Sequence, residues 1–182
     1  HLKKLIVNDQ ETIVIRPQDY LVSTMPVHTL ARHLGINNTL KFRGAMLFFV
    51  AVNRPVVIPG KACFLYYDAP KISFHRVSEQ KKFCRDGFPE NQTVLTVEVA
   101  YSEEKPSLYH TETEWMARVI EDLQRVRLVH KDDIFDARLI SLPHVYPFLS
   151  KEAEPEFARV LNQLNGFRQL YLIGTGGEFH YA

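Results

Sequence analysis

Ala45 to Val52 is an unbroken apolar run, Ala-Met-Leu-Phe-Phe-Val-Ala-Val, and it limits the folds open to this chain more than any other segment. It is far shorter than the roughly 20 residues that cross a bilayer. Its β-branched and aromatic content instead predicts a central strand with both faces covered. Three more segments of similar composition follow, Cys63–Tyr67, Ile72–Arg76 and Thr93–Ser102, the last partly alternating as a strand with one wetter face would. Asp68-Ala69-Pro70 and Arg85-Asp86-Gly87-Phe88-Pro89 supply turn chemistry between them. Strands joined by short turns pair antiparallel, so a mixed, largely antiparallel sheet is expected.

Three segments carry the helical period instead. Pro26 precedes Val27, Leu30, Ala31 and Leu34, and Gly35 supplies the stop. Thr111 and Glu114 have capping-box spacing ahead of an apolar stripe of Trp115, Met116, Val119, Ile120 and Leu123. Glu114/Arg118 and Glu121/Arg125 stand four apart on the same helix. The third helix runs from Pro155 through Phe157, Val160, Leu161 and Leu164 to Gly166. Helices packed on such a sheet make an α+β fold.

At 182 residues the chain is long enough for one domain with a real core, and its 46% hydrophobic and 24% charged content is ordinary for a globular protein. A net charge of +1, from 22 basic and 21 acidic residues without long blocks, argues against nucleic acid as a partner. Cys63 and Cys84 lack a metal-type spacing and read as free thiols in a reducing compartment. With no apolar stretch of membrane length and no recognisable signal peptide, a cytoplasmic location without a membrane span is expected.

The histidines give little support to metal chemistry. His28 and His33 fall five apart, poorly suited to share a helical face as ligands, and His75, His110, His130, His144 and His180 are scattered. No serine stands in a Gly-x-Ser-x-Gly elbow, and Asp132, Asp133 and Asp136 read as a solvated turn leading into a strand. Two other features are better suited to meet a ligand. Leu170 to Ile173 reads as a strand ending in Gly174-Thr175-Gly176-Gly177, where missing Cβ atoms let a backbone approach a bound group; the same glycines also suit an ordinary turn. Tyr66, Tyr67, Phe74, His75 and Arg76 fall on two strands joined by Asp68-Ala69-Pro70, and alternation would put Phe74 and Arg76 on one side, His75 on the other. An arginine beside aromatic rings can clamp a carboxylate or phosphate while the rings hold a flat or sugar-like body; a core aromatic pair with a solvated arginine is the competing reading.

The order of the segments adds to this. Asp19-Tyr20-Leu21-Val22-Ser23-Thr24-Met25-Pro26 resembles the D-x-V-I-S-T-x-P segment of FAD-dependent amine-oxidase-type proteins, which there ends a strand returning to the flavin domain. Phe42-Arg43-Gly44-Ala45-Met46-Leu47 is similar to the family's Y-R strand, which opens its substrate domain. Phe64–Asp68, Ile72–Val77 and Thr96-Val97-Glu98 follow in the family's order, and Val145-Tyr146-Pro147 resembles its A-Y-P strand. Leu170 to Gly174, with Gly176, Gly177, Phe179 and Tyr181, resembles its closing flavin-contacting segment. The resemblance runs from about Asp19 to Ala182 and points to protoporphyrinogen-oxidase-like and UDP-galactopyranose-mutase-like members, many of them in polysaccharide or lipopolysaccharide biosynthesis. The T-G-P-I-D run of the mutases is replaced here by Ser23-Thr24-Met25-Pro26.

The resemblance implies a substrate-binding type of α+β domain over residues 1–166 and a portion of an FAD-binding region over 167–182. Ser23, Thr24, Pro26, Gly174, Gly176 and Gly177 would then lie at the cofactor. Tyr66, Tyr67, His75, Arg76 and Tyr146 would contact a small-molecule or sugar-linked substrate. The family binds FAD chiefly through an N-terminal Rossmann-type region with a Gly-x-Gly-x-x-Gly fingerprint, and this sequence contains none. The chain is therefore expected to be the substrate-binding portion of a larger flavin oxidoreductase, with that region as its partner and no FAD held alone. A flavin-dependent isomerase of a nucleotide sugar, and a non-catalytic sugar-binding or interaction module, are the alternatives.

Overall fold

The computed structural model describes residues 2–102 and 111–181; His110 lies outside the described residues. In chain order the elements begin with β1 (Lys4–Val7), β2 (Glu11–Val14), β3 (Leu21–Ser23), α1 (Val27–His33) and β4 (Phe42–Val52). β5 (Phe64–Tyr66), β6 (Arg76–Glu79), β7 (Thr93–Tyr101) and α2 (Glu112–Arg125) follow. The chain continues through β8 (Ile134–Pro147), α3 (Ala153–Leu164), β9 (Leu170–Leu172) and α4 (Gly174–Glu178). The fold is α+β, as the sequence predicts. It divides into two compact units, His1–Arg43 with His144–Ala182, and Gly44–Pro143.

The Gly44–Pro143 unit is built on a five-stranded sheet in the order β5-β6-β7-β4-β8. The β5–β6, β6–β7 and β7–β4 pairs are antiparallel. The apolar run lies inside β4, between two neighbours. Met46, Phe48, Val50 and Val52 are buried and stand opposite Val99, Val97, Leu95 and Thr93. Trp115, Val119 and Leu123, the stripe of α2, belong to the same core. On the other face Leu47, Phe49 and Ala51 are only half-buried, so full cover holds for one side of β4 and not for both.

α2 begins where its sequence says it should. Thr111 caps the Glu114 amide at 3.2 Å and the Glu114 carboxylate accepts from the Thr111 amide at 3.1 Å, closing the capping box. Of the two expected ion pairs, Glu121–Arg125 forms at 2.7 Å, while Arg118 turns to Asp122 at 3.0 Å instead of Glu114. That choice also displaces a strand. The Ser73 amide donates to the buried Asp122 carboxylate at 2.9 Å, and Arg118 and Arg125 donate to the Lys71 carbonyl at 2.7 and 3.1 Å. These backbone groups bond to α2 rather than to a strand neighbour, so β6 starts at Arg76 and not at Ile72.

In the other unit, β1 and β2 form an antiparallel hairpin and β3 pairs with β9 in parallel. α1 and α3 bury Val27, Ala31, Val160 and Leu164 in a core shared with Phe42 and Phe179. The glycine-rich stretch expected as a turn is the short helix α4. Among the described residues no helix is long and apolar enough to cross a membrane, and no group of three or more His, Cys, Asp or Glu side chains could hold a metal.

Candidate functional site

Antiparallel register places side chains opposite one another on the same face of a sheet. Phe48, Val97, Val77 and Leu65 form one row across four strands on the core side. One residue along, the opposite face carries two parallel rows. The first is Tyr66, Arg76, Glu98 and Leu47; the second is Phe64, Ser78, Thr96 and Phe49. Tyr66 and Phe64 meet edge to face at 5.5 Å, and Tyr66 is 67% exposed. Within the second row, the Thr96 hydroxyl accepts from the Gln80 side-chain amide at 2.6 Å.

Glu98 organises this face. Its carboxylate is almost fully buried, which is costly for a charge without partners. The Arg76 guanidinium donates to one carboxylate oxygen, and His75 Nε2 lies 3.2 Å from the other. The His75 amide also donates to the Glu98 carbonyl at 3.1 Å, and the His75 carbonyl accepts from the Tyr67 amide at 2.9 Å. His75 precedes β6, so the strand alternation that would have separated it from Arg76 does not reach it. Both side chains meet one carboxylate while staying partly open to solvent. Such a face can hold a flat ring against Tyr66 and Phe64 and offer charged, hydrogen-bonding groups beside it.

Tyr67 points the other way. Its ring meets buried Phe74 edge to face at 5.1 Å, and burial pushes its phenol up from the usual value. Tyr66, His75 and Arg76 therefore come together, while Tyr67 joins the core side. Glu98 and Phe64 are the members that the sequence reading did not single out. The signal for Glu98 was available, since a lone carboxylate in an apolar strand needs a buried partner.

The remaining expected site residues lie in the His1–Arg43/His144–Ala182 unit. Ser23 ends β3, is buried, and accepts from the Met25 amide at 3.3 Å through its hydroxyl. Thr24 is exposed and Pro26 half-buried. The Ile173 amide donates to the Ser23 carbonyl at 3.0 Å, tying the ends of the two parallel strands together. A Cβ at Gly176 would lie 3.2 Å from the Thr24 carbonyl oxygen, and one at Gly177 3.2 Å from that of Ser23. These two glycines thus let α4 pack on residues 23–26. Gly174 differs: its φ of +74° is a left-handed value, and nothing lies within 4 Å of its Cβ position. Tyr146 stacks on Tyr181 at 6.0 Å, whose hydroxyl donates to the Pro147 carbonyl at 2.7 Å. Phe179 adopts a left-handed φ of 53° and is anchored by Phe42 and Phe157, each with its ring centre 5.4 Å away.

No family profile and no curated protein matches the sequence. Solved structures do match. Reduced UDP-galactopyranose mutase superposes with a TM-score of 0.78 at 19% identity, over 96% of this chain and 38% of that one. A candidate protoporphyrinogen oxidase from Exiguobacterium sp. 255-15 superposes with a TM-score of 0.62 at 15% identity, over 86% of this chain and 36% of that one. The chain thus spans less than two-fifths of either neighbour. Its fold is the one those two proteins share over the matched portion.

Proposed function

We propose that this chain is the substrate-binding portion of a longer FAD-dependent oxidoreductase of the amine-oxidase-like superfamily, acting on a small or glycan-linked substrate. The observation that carries the reading is the fold likeness over nearly the whole chain. In this reading Tyr66, His75 and Arg76 contact substrate, with Glu98 holding the His75 and Arg76 side chains in place. Tyr67 supports Phe74 from below, and Tyr146 braces the closing segment through Tyr181.

FAD fits the other unit in part. β3 and β9 end side by side as parallel strands and each is followed within a few residues by a helix, the setting in which parallel sheets meet nucleotides. Thr24 and the open backbone at Gly174 are the groups that would approach the cofactor. Ser23, Pro26, Gly176 and Gly177 would shape the turn behind them. When bound, the flavin would accept a hydride from substrate. Residues 167–182 would belong to the FAD-binding region and 1–166 to the substrate domain, in a cytoplasmic enzyme of polysaccharide or lipopolysaccharide biosynthesis.

The sheet of β3 and β9 supports a missing partner. Tyr20, Val22, Tyr171 and Ile173 leave one of its sides apolar and exposed, whereas parallel sheets are covered on both faces. An N-terminal FAD-binding region would supply the cover. The absorbance spectrum of the longer protein beside that of this chain tests the reading. Flavin bands are expected in the longer protein alone. A colourless longer protein that takes up no added FAD would overturn it.

A second reading, a flavin-dependent isomerase of a nucleotide sugar, is favoured by the higher TM-score with the mutase, 0.78 against 0.62. It expects UDP-sugar to bind the longer protein more tightly when the flavin is reduced. Affinity indifferent to redox state removes it and leaves the oxidoreductase.

A further inference from the structure

β8 spans 14 residues and is an outer strand of its sheet, with β4 on one side and, among the described residues, no strand on the other. Phe135 and Ile140 are about half exposed on it. An open edge of this length is a template for another strand unless something blocks it. Edges are commonly guarded by charges, but the charges here have opposite signs. Asp136 and Arg138 stand two residues apart with 3.4 Å between their charged atoms.

We propose that a second copy of this chain pairs with β8, antiparallel about a twofold axis at Ala137, so that two sheets become one. In that register Asp136 of each copy stands opposite Arg138 of the other, forming two cross-strand ion pairs. Ile134 stands opposite Ile140, and Phe135 opposite Leu139. A slip of two residues either way sets Arg138 against Arg138 or Asp136 against Asp136, so charge selects the register. The other face fits as well. Ala137 lines a groove whose far wall is Met116, Ala117 and Ile120 of α2. A small residue at the axis lets the partner's Phe135 reach that groove. Beyond the paired stretch, Pro143 has no N–H to offer and ends the ladder. The pairing needs only this strand and helix and does not depend on the flavoenzyme reading.

Sedimentation equilibrium of the chain over a wide concentration range tests the proposal. A reversible dimer is expected. Arg138→Asp and Asp136→Arg each turn two attractive pairs into repulsive ones and should weaken the dimer about tenfold or more. The double variant D136R/R138D restores both pairs and should return Kd to the wild-type value. All these positions are exposed, and circular dichroism checks that each variant keeps its fold. A monomer at every concentration would assign the edge to another occupant and overturn the proposal. So would a dimer indifferent to the single reversals, or one that the double reversal fails to restore.

Discussion

His28 is almost fully buried in α1, its ring centre 4.6 Å from that of His144 and 4.8 Å from that of Phe42. Burial, with the neighbouring His144 and Arg32 adding to it, pushes its pKa down from 6.5 to about 4. The unfolded chain therefore binds a proton between these values that the folded chain does not. Stability due to this residue is complete above about pH 6.5 and falls as the pH drops toward 4, by up to roughly 3 kcal/mol. Thermal unfolding at about pH 7 and about pH 5 should show Tm falling in acid, and His28→Phe should flatten that fall. The substitution keeps a ring against Phe42 and gives up one hydrogen bond, that between His28 Nε2 and the Thr29 hydroxyl at 3.3 Å; His28 Nδ1 has no partner among the described residues. A wild-type slope unchanged in the variant would refute the assignment. Nothing in the spacing of the histidines hinted at this, because His28 and His144 meet only through tertiary packing.

Elements were legible where their signals are local. Proline and glycine bracket α1, and a capping box opens α2, so both helices are found where the sequence expects them. Three strands were less legible for a different reason. β1 and β2 bury almost nothing, and most of β8 is exposed as an outer strand, so neither alternation nor an apolar run marks them. β6 was misplaced because Asp122, some fifty positions away, holds the Ser73 amide. The same contact makes a prediction at this scale. Asp122→Asn keeps the shape but removes the charge that binds Arg118 and Arg125, and should cost about 2 kcal/mol in denaturant unfolding. Amide exchange at Ser73 should speed up in the variant. Unchanged protection there would mean that α2 does not fix the segment leading to His75.

For the molecule as a whole, the candidate substrate residues were only partly legible. Tyr66, His75 and Arg76 stood out by type, but Glu98, which joins them, is visible only once β6 and β7 are in register. Tyr20, Val22, Tyr171 and Ile173 are large, exposed apolar side chains on or beside the strands β3 and β9, and the proposed FAD-binding region gives them a role. Tyr171→Lys should cost this chain no more than about 1.5 kcal/mol, since Tyr171 is half exposed and its ring meets that of Tyr20 at 5.8 Å. If the chain belongs to the longer flavoprotein proposed above, the same substitution there should sharply reduce flavin content. Full flavin content in that variant would count against the proposed cover. The parallel pairing of Leu21 with Leu170 also has a consequence for synthesis on the ribosome. At roughly 5–20 residues per second, β3 emerges on the order of ten seconds before the strand it pairs with. For most of that wait Val27 and Ala31 of α1 have no α3 to pack on, while residues 44–143 can already assemble. The nascent chain should therefore be most dependent on chaperones around β3 and α1, and slowing translation between β3 and β9 should lengthen that dependence.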